Sequence, residues 1–170
     1  MLLVVSLIGT VIAISLGGLN AALNTVRGDA SVNTLLWQFK IARETAINER
    51  RNVEVRLTAP NFIAVVRRNL PNGETVISTA VLPYRSEFRL FDNFPDTPDR
   101  FTNDTPIDFQ NATALMFTPD GRFVDQAGAL LNGTVFLGQQ NKLTTARAMT
   151  VFGATAALRT FSWNGTRWVH

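Results

Sequence analysis

Two hydrophobic periods divide the chain. From Met1 to Val26 the sequence reads MLLVVSLIGTVIAISLGGLNAALNTV, with no charged residue, and its stretch from Met1 to Leu19, wound as a helix, is apolar on every face. From Asp29 onward the apolar positions thin to one stripe: Val32, Leu35, Leu36, Phe39, Ala42 and Ala46 follow the i, i+3, i+4, i+7 spacing of a helix face. Arg27, Lys40, Arg43, Glu44, Asn48 and Glu49 fill the polar positions, and no proline occurs before Pro60. The pattern predicts one long helix, about Leu2 to Arg50, apolar all round in its first half and amphipathic in its second.

After Arg51 the period becomes two. Val53, Val55 and Leu57 alternate with Glu54 and Arg56, and the runs 62–67 and 74–82 are rich in strand formers. Asn69-Leu-Pro-Asn-Gly73 between them predicts a hairpin. The stretch 87–110 reads as a loop, carrying Pro95, Pro98, Pro106 and five aspartates, with Phe88, Leu90, Phe91 and Phe94 tucked under the head. Residues 113–123 read as strand, turn and strand around Pro119-Asp-Gly-Arg122. Further strands are expected at 133–137, 146–152 and 155–163, and a last short one at 166–169 after the Asn164-Gly165 turn. The fold class expected is α+β: a long N-terminal helix, its first half membrane-spanning, packed on a mostly antiparallel sheet head. Its parts are 1–26 (membrane-spanning half of the helix), 27–51 (amphipathic half) and 52–170 (β-rich head).

The opening run is long enough for a bilayer core about 30 Å thick, which takes about 20 apolar helical residues. A cleaved secretory signal would carry a basic residue before its apolar core, and none precedes this run. Gly9, Ser15, Gly17 and Gly18 suit either ordinary transmembrane composition or close helix packing with a soft spot at the glycine pair.

Composition narrows the chemistry. The 170 residues suit one modest domain with an appendage. With no cysteine, disulfides, thiolate metal sites and a cysteine nucleophile are excluded. The one histidine, His170, is the last residue, so histidine acid–base chemistry has no good candidate. The clustered aspartates lack the calcium-loop spacing with its glycine. No metal-ligand cluster and no glycine-rich phosphate loop is present, so no catalytic residue, metal or cofactor is expected. The sixteen basic residues are all arginine except Lys40 and Lys142, and the net charge is +3. That is mildly basic and short of a strong polyanion binder.

These features resemble the type IV pilin-like family. Met1 to Ile14 looks like the part of such a protein that follows the fifth-position glutamate; a leader, a cleavage site and that glutamate are expected upstream. Leu35-Leu-Trp-Gln-Phe-Lys-Ile-Ala-Arg-Glu-Thr-Ala-Ile-Asn-Glu-Arg-Arg-Asn-Val-Glu-Val-Arg-Leu57 is similar to the helix-to-strand stretch of GspH/FimT-type minor pilins, and Phe117-Thr-Pro-Asp-Gly-Arg122 to their "F-x-x-x-G-R" turn. Val151 to Arg159 loosely matches the closing "V-x-x-x-G-R-x-R" segment, with Gly153 followed by Ala-Thr-Ala instead of Gly-Arg.

The resemblance implies a minor pilin or pseudopilin of a type II secretion pseudopilus or a type IV pilus, at or near the tip. It would be anchored by a single pass in a bacterial inner membrane, with its head in the periplasm or on an exported filament. Its partners would be other pilin or pseudopilin subunits, the inner-membrane assembly platform and membrane lipid. Leu2, Val5, Ile8, Gly9, Val11, Ile12, Ile14 and Leu16 are the residues expected to pack in the membrane and filament. Leu35, Phe39, Ala42 and Ala46 are expected to dock the helix on the sheet. FimT-like relatives suggest an alternative, a nucleic-acid-binding pilin for DNA uptake. Its basic face would draw on Arg50, Arg51, Arg56, Arg67, Arg68, Arg147, Arg159 and Arg167, the contacts of most interest being Arg159 and Arg167.

Overall fold

The computed structural model describes the backbone of residues 2–69 and 71–170 and the side chains of residues 22–69 and 71–170. The first element is one continuous helix, α1 (Leu2–Glu49), 48 residues and so about 72 Å long. It stops where Arg50 takes a left-handed conformation, φ 52°. The Arg51 N–H then donates back to the Ala46 carbonyl at 3.2 Å, the long closing bond of a left-handed helix terminus. Among the described residues no helix is long and apolar enough to cross a membrane. The expected membrane and filament residues, Leu2 through Leu16, lie outside the described side chains.

Among the described residues eleven strands follow: β1 (Val53–Thr58), β2 (Phe62–Arg68), β3 (Glu74–Val81), β4 (Glu87–Phe88), β5 (Ile107–Asp108), β6 (Met116–Phe117), β7 (Phe123–Val124), β8 (Gly133–Gln139), β9 (Lys142–Val151), β10 (Leu158–Trp163) and β11 (Trp168–Val169). Among the described residues every pairing is antiparallel, both in the hairpins and in the long-range pairs β1–β6, β4–β8 and β5–β8. The expected single sheet is in fact two. The first has the order β3-β2-β1-β6-β7, the second β11-β10-β9-β8-β4 with β5 also beside β8.

The helix lies against both sheets, touching β1 and β2 of one and β8 and β9 of the other. Its stripe and the inner faces of the sheets form one core that includes Val53, Val55, Ile63, Val65, Val135, Leu137, Met149 and Val151. The second sheet is covered on its other face too. There Phe136, Ala146, Ala148, Phe161 and Trp168 pack under Leu90, Phe91, Phe94 and Trp163. β8 is therefore buried at every residue, which accounts for its uninterrupted Val-Phe-Leu run. Phe94 stacks on Trp163 at 4.1 Å, and the Trp168 indole N–H donates to the Pro95 carbonyl at 2.8 Å.

The 87–110 stretch departs from a solvated loop. It holds β4 and β5, and Asp108 is buried, its carboxylate accepting from the Asp104 and Gln110 backbone N–H groups. Asp99 is likewise inward. It accepts from the Thr150 hydroxyl at 2.6 Å and from Arg159 at 2.7 Å. These carboxylates satisfy loop and strand donors, so they order the segment instead of solvating it.

Candidate functional site

In a chain that is a rod joined to a head, the site that matters is the seat of the rod. Leu35, Phe39, Ala42 and Ala46 recur on one face of α1 and each has 0% exposure. Phe39 meets Phe117 edge-on at 6.0 Å and Phe123 at 5.9 Å, so one helix residue touches both strands of the β6–β7 hairpin. Ala42 and Ala46 are small enough to let the helix backbone approach the sheets. The four expected docking residues are thus brought together in the core. The turn between β6 and β7 braces the end of the helix. Gly121, in the left-handed region at φ 79°, lies where a Cβ would come within 3.3 Å of Ile47 Cδ1, so glycine answers both demands there. In the same turn the Thr118 hydroxyl donates to Asp120 and holds its carboxyl below the usual range.

Where the helix leaves the head, the seat is polar. Arg147 stands on β9 in register with Leu137, on the same face as Met149 and Val151, so its side chain enters the core side of the sheet. Its side chain is 3% exposed. Nε donates to Asp29 at 2.7 Å, Nη2 to the Thr25 carbonyl at 2.9 Å, and Nη1 to the Ala146 and Thr144 carbonyls at 2.8 and 3.1 Å. A buried guanidinium needs this many acceptors to offset its lost hydration. It passes beside Gly28, where a Cβ would lie 2.7 Å from the Thr145 carbonyl oxygen and 2.9 Å from Arg147 Cζ. One turn on, the Ser31 and Ser86 hydroxyls meet at 2.7 Å.

A second buried charge fastens the first sheet. Glu54, 7% exposed, accepts from Arg56 Nε at 3.0 Å and Arg68 Nη2 at 3.0 Å, and Arg56 reaches on to Glu74. Burial alone would push the Glu54 carboxyl up; the hydrogen bonds from Arg56 and Arg68 outweigh it and hold the group below its ordinary value. Hydrogen bonds to Glu74 and then Glu54 raise Arg56, and the same contact with Arg56 lowers Glu74.

The arginines proposed as a basic face are mostly committed elsewhere. Arg56, Arg67, Arg68, Arg147 and Arg159 each pair with a carboxylate within the chain. Arg159 also lies over the Phe152 ring at 4.7 Å. Arg159 and Arg167 are not brought together. Arg159 sits near the start of β10 and Arg167 in the turn beyond its end, about four residues or 13 Å of strand apart. Arg50, Arg51 and Arg167 are exposed, and none makes an ion pair among the described residues. A cleft of about 660 Å³ between β1 and residues 102–115 is lined by Arg56 together with Glu54, Asp104 and Asp108, and another of about 820 Å³ lies beside Arg100, Arg167 and Trp168. Among the described residues no three His, Cys, Asp or Glu side chains are placed to hold a metal ion.

Sequence reasoning missed the polar exit of the helix. The signal was present in Ala146-Arg147-Ala148-Met149: a charged residue on the core-facing register of an apolar strand must find a buried partner, and Asp29 opens the amphipathic stripe.

The sequence model of the family described as Type II transport protein GspH matches residues 31–156, most of the 170-residue chain, from Ser31 on the helix to Ala156 after β9. No curated protein and no solved structure matches the chain. The matched segment carries the seat, with Leu35, Phe39, Ala42 and Ala46 on the helix and their counterparts in both sheets. The chain belongs to the GspH family of type II transport proteins.

Proposed function

We propose that this protein is a non-catalytic pseudopilin, held in the bacterial inner membrane by the first half of α1 and built through that half into the pseudopilus of a type II secretion system, at or near its tip. The observation that carries the reading is the continuity of α1. The uncharged run and the docked amphipathic stripe belong to one 48-residue helix, so a head seated on the second half displays the first half as a rod. A helix satisfies its own backbone groups in lipid. The same apolar surface can be buried against sibling helices once the subunit leaves the membrane. The head would meet the assembly platform and neighbouring subunits from the periplasmic side.

The absence of cysteine makes the test clean. Single-cysteine variants at Val5, Gly9 and Ile12, expressed with the other pseudopilins and oxidised in membranes, are expected to form disulfide-linked pairs with matching thiols in sibling helices. Release of the protein from membranes by carbonate, with no cross-link at any of the three positions, overturns the reading. The DNA-binding alternative draws on Arg50, Arg51 and Arg167 alone once the paired arginines are set aside. DNA retardation at low salt, steeply weakened by added salt and lost with Arg167→Gln, would favour it.

A further inference from the structure

The end of the head from which the helix emerges carries a charge pattern that the seat does not use. Three segments meet there. The first is α1 around residues 25–31, the second the loop 83–86 between β3 and β4, and the third the turn joining β8 to β9. The Ser31–Ser86 contact, the Gln139 side-chain amide donating to the Tyr84 carbonyl, and the Arg147 bonds to Thr25 and Asp29 lock them into a collar around the helix. Between them lies a recess of about 500 Å³, lined by Arg27, Tyr84, Arg85, Gln140, Lys142 and the half-buried Glu87 among others.

Its charges are unbalanced. Glu87 is bonded to Arg89 at 3.0 Å, and Asp29, the nearby carboxylate on the helix, to Arg147 at 2.7 Å. Arg27, Arg85 and Lys142 have no carboxylate in ion-pair range among the described residues. Three cations around one recess repel one another unless an anion joins them.

The position says which anion. Arg27 is the first charged residue after the uncharged run. A helix uses about 20 residues to cross the hydrocarbon core, so a residue directly after such a run falls at headgroup depth. Tyr84 is 56% exposed, Leu143 in the adjoining strand end 53%, and Val26 on the helix 60%. Aromatic and apolar side chains interleaved with arginine and lysine are the composition of a membrane interface.

We infer that this collar is a binding surface for anionic phospholipid headgroups, in which Arg27, Arg85 and Lys142 take the lipid phosphates and Tyr84 enters the headgroup–acyl boundary. The surface sets how the head stands on the membrane before the subunit is extracted. The inference rests on the membrane-anchored reading above.

The test uses the full chain in lipid nanodiscs, with Gln140→Cys as its one thiol and a membrane-impermeant maleimide as the probe. Labelling is expected to be about fivefold slower in discs containing phosphatidylglycerol than in phosphatidylcholine discs, the attraction of basic residues to an anionic surface being the cause. Arg27→Gln/Arg85→Gln/Lys142→Gln should abolish the difference. Ala154→Cys, in the turn at the far end of β9 and about 33 Å away, should label equally in both. Equal rates at Gln140→Cys in protein that co-elutes with the discs overturn the collar and leave the anchor standing. Protection reproduced in phosphatidylcholine discs by millimolar inorganic phosphate assigns the recess to a free anion and overturns the lipid. Failure to co-elute at all sinks the anchored reading and the collar with it.

Discussion

Arg147 and Glu54 are each a buried charge with several partners, so the head tolerates their loss poorly. Arg147→Ala removes four hydrogen bonds and leaves Asp29 without its counter-charge. The expected loss is about 3 kcal/mol, the low end for breaking a buried pair because Asp29 is 52% exposed. Denaturation of the detergent-solubilised protein measures it. Gly28→Ala makes a sharper companion. Replacing glycine inside a helix ordinarily stabilises by about 1 kcal/mol. Here the added Cβ meets a carbonyl oxygen at 2.7 Å, and the expected sign reverses to a loss of about 1–3 kcal/mol. A stabilised Gly28→Ala would mean that β9, at Thr145 and Arg147, does not press on the helix. For Glu54 the test is acid. Its carboxyl lies below its ordinary value of 4.5 in the fold. Its contribution is therefore complete above that value and is lost as the pH falls through the lower folded one. Glu54→Gln should flatten the acid limb of stability against pH; an unchanged slope from pH 5 to 3 would place the acid sensitivity elsewhere. Neither residue's role was legible from composition. In the sequence Arg147 is one arginine among fourteen, and only its place on the core-facing register of β9 distinguishes it.

Among the elements, α1 and the long strands were legible because each carries a period long enough to read. The stripe of Val32, Leu35, Phe39, Ala42 and Ala46 marked the buried face of the helix, and turn residues marked the ends of the hairpins. The division into two sheets was not legible, since nothing local to β1 or β9 records which strand lies across the core. The two-residue strands β4 and β5 were missed for a related reason. They exist because β8 offers them an edge, and the prolines around them spoke for a loop. The aspartates misled because a carboxylate caps buried N–H groups as readily as it faces water, as Asp108 and Asp99 do. At the helix seat the consequence is quantitative. Phe39→Ala empties a site bounded by Phe117 and Phe123 and is expected to cost about 3–5 kcal/mol. A thermal or denaturant midpoint that barely moves would show that the helix is not held there.

At the scale of the whole molecule, the proposed function has one helix serve two environments, and two of its aromatic residues separate them. Phe39 has no exposure, whereas Trp37 is 63% exposed on the same helix. Two residues of helix turn the chain by about 200°, so Trp37 faces away from the head that Phe39 enters. An exposed tryptophan gains little for the folded monomer, yet with Val26 and Leu23, 60% and 41% exposed, it extends the apolar surface of the rod along the outside of the head. In the assembled filament proposed above, that surface lies beside the neighbouring subunit's helix, where a buried tryptophan is a strong anchor. The two substitutions should therefore fail in opposite ways. Trp37→Ala is expected to change monomer stability by no more than about 0.5 kcal/mol, as exposed positions do, and to reduce cross-linking between sibling subunits in membranes. Phe39→Ala should unfold the head first and lose assembly only as a result, so lowering the temperature should restore its cross-links while leaving those of Trp37→Ala weak. If Trp37→Ala assembles like the unaltered protein, contact between subunits is confined to the uncharged run, and the outer face of the docked helix takes no part in it.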